Sequence, residues 1–249
     1  MKPHLTLIGS GPGDPGLLTL NGVKTLELAE VVLYDALAGE ETLKYVQPNA
    51  EVVYVGKSAK HGWTPQQKIN NLIVHYAQSG RNVVRLKGGD PFIFGRGFEE
   101  LQYAEEAGFS TKVIPGVSSV TGLAALHGIP LTHRSIAQSF WVVTATSETG
   151  ELPEDLRLAA RSNATIVIVM GMSKLEEIVA LFREEGKEDL PAAIITNGSL
   201  DYEQVITGNV STILSLAREH GLTSPATIII GKVVALREAF FTSSFHKKG

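Results

Sequence analysis

Apolar residues recur along the first half of the chain in two alternating rhythms. Short β-branched runs occur at LTLIG (5–9), VVLYD (31–35), EVVYVG (51–56), NVVRLKG (82–88) and TKVIPG (111–116). Between them lie stretches with helical spacing: LLTLNGVKTLELAE (17–30), a short ETLKYV, QQKINNLIVHYAQSG (66–80) and FEELQYAEEAG (98–108). In the third of these, Ile69, Leu72, Ile73 and Tyr76 share one face and Gly80 supplies the stop. Strands apolar on both faces, alternating with helices, predict a parallel sheet covered on each side.

The rhythm pauses at PLTHRSIAQS (130–139) and then resumes. SFWVVTAT (139–146), TIVIVMG (165–171), AAIITNG (192–198) and EQVITGNV (203–210) read as strands, and ATIIIGKVVAL (226–236) as one or two more. SKLEEIVALFREEG and STILSLAREHG read as helices. The pattern therefore predicts two α/β domains, residues 1–133 and 134–249, with a mainly parallel sheet in the first and a mixed sheet in the second. The tail FFTSSFHKKG is expected to fray.

Composition narrows the chemistry. The 249 residues carry 22 Lys and Arg against 26 Asp and Glu, a net charge of −4, so no global basic field points to nucleic acid or an anionic membrane. There are no cysteines, which excludes disulfides, thiolate metal sites and cysteine nucleophiles and fits a reducing compartment. The seven histidines form no HxxxH pair, so no metal site is expected. No apolar run reaches the length of a bilayer span, and MKPHLTLIGSGPG is broken too early for a signal peptide. A soluble cytoplasmic protein is expected.

Ligands of open α/β sheets sit at the carboxyl ends of strands. The loops there are GSGPGDPG, YDALAG, KGGDPFIFGRG and PGVSS. The first reads G-x-G-x-x-D from Gly9, with Asp14 where a dinucleotide fingerprint has its third glycine. Pro12 and Pro15 lack the N–H groups that would hold pyrophosphate. Phosphate is thus disfavoured, whereas a ligand with a ribose, an apolar base and a cationic sulfonium suits this set. Gly88 and Gly89 permit close backbone approach, Asp90 accepts hydrogen bonds and Ile93 offers an apolar wall. Loops of this composition also serve simply as tight turns. Phe92 and Phe94 read individually as core residues beneath the loop.

Taken together, GSGPGDPGLLTL, VVLYD, VGK, VVRLKGGDPFIFGRG, IPGVSS and GIPLTHR resemble the tetrapyrrole methylase family, over residues 5 to about 236. The resemblance implies two α/β domains with an active-site cleft between them, a homodimer, and transfer of methyl groups from S-adenosylmethionine to uroporphyrinogen III. Two transfers would give precorrin-2 and S-adenosylhomocysteine, on a route to sirohaem or cobalamin. The family's donor contacts fall on Pro12, Gly88, Gly89, Asp90, Ile93, Ser118, Ser119, Met170, Gly198 and Ala226. Its proton acceptor and donor match Asp35 and Lys57. The alternative for these two is that Asp35 caps a turn and Lys57 lies on a solvated surface. Because the substrate carries carboxylates, Arg96 and Arg134 are candidates to bind it, though either also suits an ordinary ion pair. The sequence departs from the family pattern at Ala36, at Phe98 and in TAT at 144–146. A methylase of a later precorrin, or a tetrapyrrole-binding module without catalysis, remains as an alternative function.

Overall fold

The computed structural model describes residues 4–56, 65–147 and 149–238. The chain divides into two compact units, Met1–Ser119 and Val120–Gly249. Residue 133, the expected boundary, falls inside the second. The segment before it belongs there by packing: Leu123, Ala124, Ile129 and Ala137 are buried in one cluster with Ala193, Ile195, Ile229 and Val233.

The first unit is built on strands β1 (His4–Gly9), β2 (Val31–Tyr34), β3 (Glu51–Tyr54), β4 (Val83–Lys87) and β5 (Ser110–Ile114). They pair wholly in parallel in the order β3-β2-β4-β1-β5, as the two-faced apolar runs predict. Helix α1 (Leu20–Leu26) is shorter than the periodicity suggests. Pro15–Leu17 instead forms a 3-10 turn, Leu18 is extended, and Thr19 caps the helix by accepting from the Gly22 N–H at 3.1 Å. Its Leu26 packs with Ile8, Val32, Val84 and Leu86 on one face of the sheet.

Helices α2 (Gln66–Gln78) and α3 (Gly97–Glu106) cover the other face. Ile69, Ile73 and Ala77, spaced by four, meet Leu5, Leu7, Val31, Leu33, Val83, Leu101 and Ala104. Each Val, Leu or Ile side chain among these contributes about 1.5–3 kcal/mol when fully buried. Gly80, at φ 79°, ends α2 where a side chain would be strained.

The chain continues through helix α4 (Ser119–Leu126), strand β6 (Phe140–Thr144) and helix α5 (Glu154–Arg161). It then runs through β7 (Thr165–Val169), α6 (Leu175–Glu184), β8 (Pro191–Thr196), β9 (Gln204–Asn209), α7 (Val210–Glu219) and β10 (Ala226–Ile230). The second sheet has the order β6-β7-β10-β8-β9. It is mixed, as expected: β6 and β7 are parallel, while β10 runs antiparallel to both β7 and β8. The stretch after β10 is not a second strand, because Lys232–Ala235 turns into a 3-10 helix. Among the described residues no helix is long and apolar enough to cross a membrane.

Candidate functional site

At the carboxyl edge of the first sheet, the loops touch through bare backbone. Gly11 and Gly89 form an isolated antiparallel bridge, with Gly89 N–H donating to Gly11 O at 2.7 Å. This contact joins the Pro12 loop to the loop after β4. A side chain on Gly88 would come within 2.5 Å of Leu37, so that glycine is needed where the β4 loop meets the β2 loop. Gly89, at φ 65°, differs: a Cβ there would meet Ser119 N at 3.8 Å and Ser118 Cα at 3.9 Å, ordinary contact, so it is the backbone conformation that favours glycine. Gly88 is therefore fixed by a close contact, and Gly89 by its positive φ.

Asp90 ties the same loop to the one after β5. One carboxylate oxygen accepts from Phe92 N–H at 2.9 Å and the other from Gly116 N–H at 3.1 Å. A carboxylate has about four acceptor positions, so capacity for a ligand hydroxyl or amine is left. Ile93 is exposed beside it. Phe92 and Phe94 correct the sequence reading: they are 50% and 47% exposed, not core. Phe94 stands at φ 54° in a loop that is held together by the Asp90 contacts, and Phe92 lies edge-on to the exposed Phe98 ring at 6.4 Å.

Asp35 ends β2 and has two tasks. Its Oδ1 accepts from Leu37 N–H at 3.1 Å, which is the turn cap expected of it. Its Oδ2 accepts from Arg85 Nη2 at 2.6 Å, which the sequence reading did not foresee. Arg85 side-chain exposure is 3%, against 24% for Asp35. Behind Arg85 lies Glu100 of α3, fully buried, 3.4 Å from Arg85 Nε and 2.8 Å from Lys87 Nζ. Gln66 donates to the same carboxylate at 3.1 Å. Burial, with Arg85 close by, pulls the Lys87 ammonium below the usual lysine range, against the hold of Glu100. The signal for this cluster was present in VVRLK. Two cations at alternate positions of a central strand point into one core, and that core must supply anions.

Of the proposed substrate cations, Arg96 is engaged. It caps α3 at φ 55° and grips Glu99 with contacts of 2.5 to 3.1 Å, both side chains being exposed. Arg134 is exposed and makes no ion pair among the described residues. Lys57 lies outside the described residues.

In the second unit, Met170 follows β7, Gly198 follows β8 and Ala226 opens β10. Since β10 is antiparallel to its two neighbours, all three stand at the same end of that sheet. Met170 is held at φ 55° and accepts at its carbonyl from Thr146 Oγ1 at 3.3 Å. Gly198 lies between Asn197 and Ser199, both at positive φ, and a Cβ there would strike Leu123 at 2.4 Å. Glu203 secures that turn, accepting from Ser199 N–H at 2.5 Å and lying 3.0 Å from His127 Nε2.

The model of the Tetrapyrrole (Corrin/Porphyrin) Methylases matches residues 4–214. The chain belongs to this family. This tetrapyrrole methylase is 45% identical over 236 residues to siroheme synthase 1 of Klebsiella pneumoniae, covering 94% of this chain and 50% of that protein. It is 44% identical over 235 residues to the siroheme synthase of Neisseria meningitidis, covering 94% and 48% respectively. The chain thus spans about half the length of the curated relatives it matches. The structure of uroporphyrin-III C-methyltransferase from Thermus thermophilus complexed with S-adenosylhomocysteine superposes with a TM-score of 0.80 at 37% identity. That match covers 94% of this chain and 99% of that one. A cobalt precorrin-4 methyltransferase gives a TM-score of 0.85 at 26% identity, covering 94% and 96%.

Proposed function

We propose that this methylase transfers methyl groups from S-adenosylmethionine to carbon atoms of uroporphyrinogen III, two successive transfers giving precorrin-2. One observation carries the reading. The family match coincides with a loop edge at which Gly89 is flanked by Asp90, Ile93, Ser118 and Ser119, with no cation among them. That chemistry suits adenosine and a sulfonium and repels phosphate.

Pro12, Gly88, Gly89, Asp90, Ile93, Ser118, Ser119, Met170, Gly198 and Ala226 are the proposed donor contacts. The bound donor supplies an electrophilic methyl group and leaves as S-adenosylhomocysteine. The chain itself has to align the attacking pyrrole carbon with methyl and sulfur. Such positioning is worth up to about 7–11 kcal/mol of barrier. Asp35, fixed by Leu37 N–H and Arg85, is the group to stabilise positive charge on the pyrrole or to accept its proton. Lys57 is assigned as the proton donor from the VGK motif alone. Arg134 is the stronger candidate to bind a substrate carboxylate, because Arg96 already has Glu99. We also place the protein in the cytoplasm as a homodimer, a state that light scattering would check.

A second reading, methylation of a later precorrin, draws on the likeness to the cobalt precorrin-4 enzyme. Incubation with S-adenosylmethionine and enzymatically made uroporphyrinogen III, followed by absorption and mass of the product, separates them. Addition of two methyl groups supports the first reading. Methylation of later precorrins only supports the second, and donor binding without methylation of any overturns both.

A further inference from the structure

Between the solvent-reached Asp35 and the interior of the first unit runs a chain of alternating charge: Asp35, Arg85, Glu100, Lys87. Only its first member is appreciably exposed, and the fully buried Glu100 sits at its centre. We propose that Glu100 is a positioning residue for methyl transfer, acting through Arg85 to hold the Asp35 carboxylate at the rim. The inference rests on the function proposed above and extends it to a residue that no resemblance assigned.

The geometry gives Arg85 little freedom. Nη1 donates to Leu86 O at 2.6 Å and to Leu33 O more weakly at 3.4 Å, and Nη2 is committed to Asp35. What remains is Nε, which faces Glu100 at 3.4 Å without hydrogen-bond alignment. Glu100 thus holds this side of the guanidinium by charge rather than by a directed bond. Glu100 is itself kept in place by Lys87 at 2.8 Å and by Gln66 at 3.1 Å. Without Glu100, two buried cations would have Asp35 as their one anion, and both would compete for it.

Stability alone is a poor reason for such a cluster, since buried ion pairs are often matched or bettered by apolar residues of similar volume. Orientation is a better reason. A carboxylate gripped on one oxygen by a nearly immobile guanidinium and on the other by a backbone N–H keeps one direction relative to the rim. The donor loops are built separately, from the Gly11–Gly89 bridge and the Asp90 contacts, so the effect of Glu100 should fall on chemistry and not on donor binding.

The test compares wild type, Glu100→Gln and the charge-balanced pair Lys87→Met with Glu100→Gln. For Glu100→Gln, kcat on uroporphyrinogen III should fall at least about tenfold, while KM for S-adenosylmethionine and Kd for S-adenosylhomocysteine stay within about twofold. In the double variant the melting temperature should recover but kcat should not. Recovery of kcat in step with the melting temperature would overturn the proposal, since charge balance alone would then suffice. A crystal structure of Glu100→Gln, in which Lys87 and Arg85 are left to compete for Asp35, gives a readout independent of substrate: the 2.6 Å contact between Arg85 and Asp35 should be lost. Its retention would overturn the inference even if wild type fails to methylate uroporphyrinogen III, an outcome that on its own refutes only the function proposed above.

Discussion

Asp35 Oδ2 stands 2.6 Å from Arg85 Nη2, so a carboxylate at the rim of the first sheet is also the counter-charge of a buried cation. Asp35→Asn therefore does more than remove the charge proposed to act in methyl transfer. Asn preserves the turn cap to Leu37 but leaves Arg85 short of a partner. Turnover should fall by about a hundredfold or more. Stability should fall by about 1–3 kcal/mol, less than for a fully buried pair because Asp35 is partly exposed. Near-normal turnover in a folded variant that still binds S-adenosylhomocysteine would remove Asp35 from the catalytic residues.

Gly88 and Gly89 should fail in different ways. Alanine at 88 would press on Leu37 at 2.5 Å, so Gly88→Ala should first lower the melting temperature. Gly89→Val has room for its first carbon but is strained at φ 65° and fills the space facing Ser118 and Ser119. It should abolish calorimetric binding of S-adenosylhomocysteine in a protein that still melts cooperatively. Wild-type affinity in that variant would contradict the donor assignment of this loop.

Arg134→Ala should leave the melting temperature unchanged, there being no ion pair among the described residues to lose. Uroporphyrinogen binding should weaken by about 1.5–3 kcal/mol, the worth of a charged hydrogen bond. Equal losses for substrate and S-adenosylhomocysteine would point away from a carboxylate contact. Arg96→Ala, by contrast, mainly frees Glu99 at an exposed site, and should cost at most about 1 kcal/mol of stability.

Lys87 predicts a pH dependence whose sign is fixed. Its folded-state value is lowered, first by burial and then by Arg85, from an ordinary 10.5. Between the folded value and 10.5 the unfolded chain binds more protons, so this group's contribution to stability rises with pH across that window. Below the window its penalty is present in full. Urea denaturation of wild type and Lys87→Met should show the difference moving in favour of wild type as pH increases into the alkaline range. A constant difference would mean that Lys87 is not strained by its surroundings.

Both sheets could be read from the sequence because their strands announce themselves locally: β7 and β8 are largely apolar runs between turn residues. Helices α4 and α5 could not, for want of a long stripe. SVTGLAAL contains glycine and small residues and buries only Val120, Leu123 and Ala124, and EDLRLAAR is barely two turns long. The rim loops were legible by composition, but which glycine is fixed by a close contact depends on partners far along the chain, Leu37 in the case of Gly88. The same holds for Asp35. A turn cap follows from its neighbours in sequence, whereas its bond to Arg85 spans fifty positions and becomes visible only once β2 lies beside β4.

Main chain against main chain, as at Gly9, Gly89 and Gly116, leaves evolution little to adjust. A side chain added at Gly116 would lie 2.2 Å from Gly89 O, so most substitutions there would break the rim before they could modify it. Substitutions are borne more easily at the outward positions Phe92, Phe94, Phe98 and Ala36, where a change alters what faces solvent and leaves the frame intact. Under the proposed function, a lineage could exchange acceptors while inheriting the glycine-bridged loops unaltered.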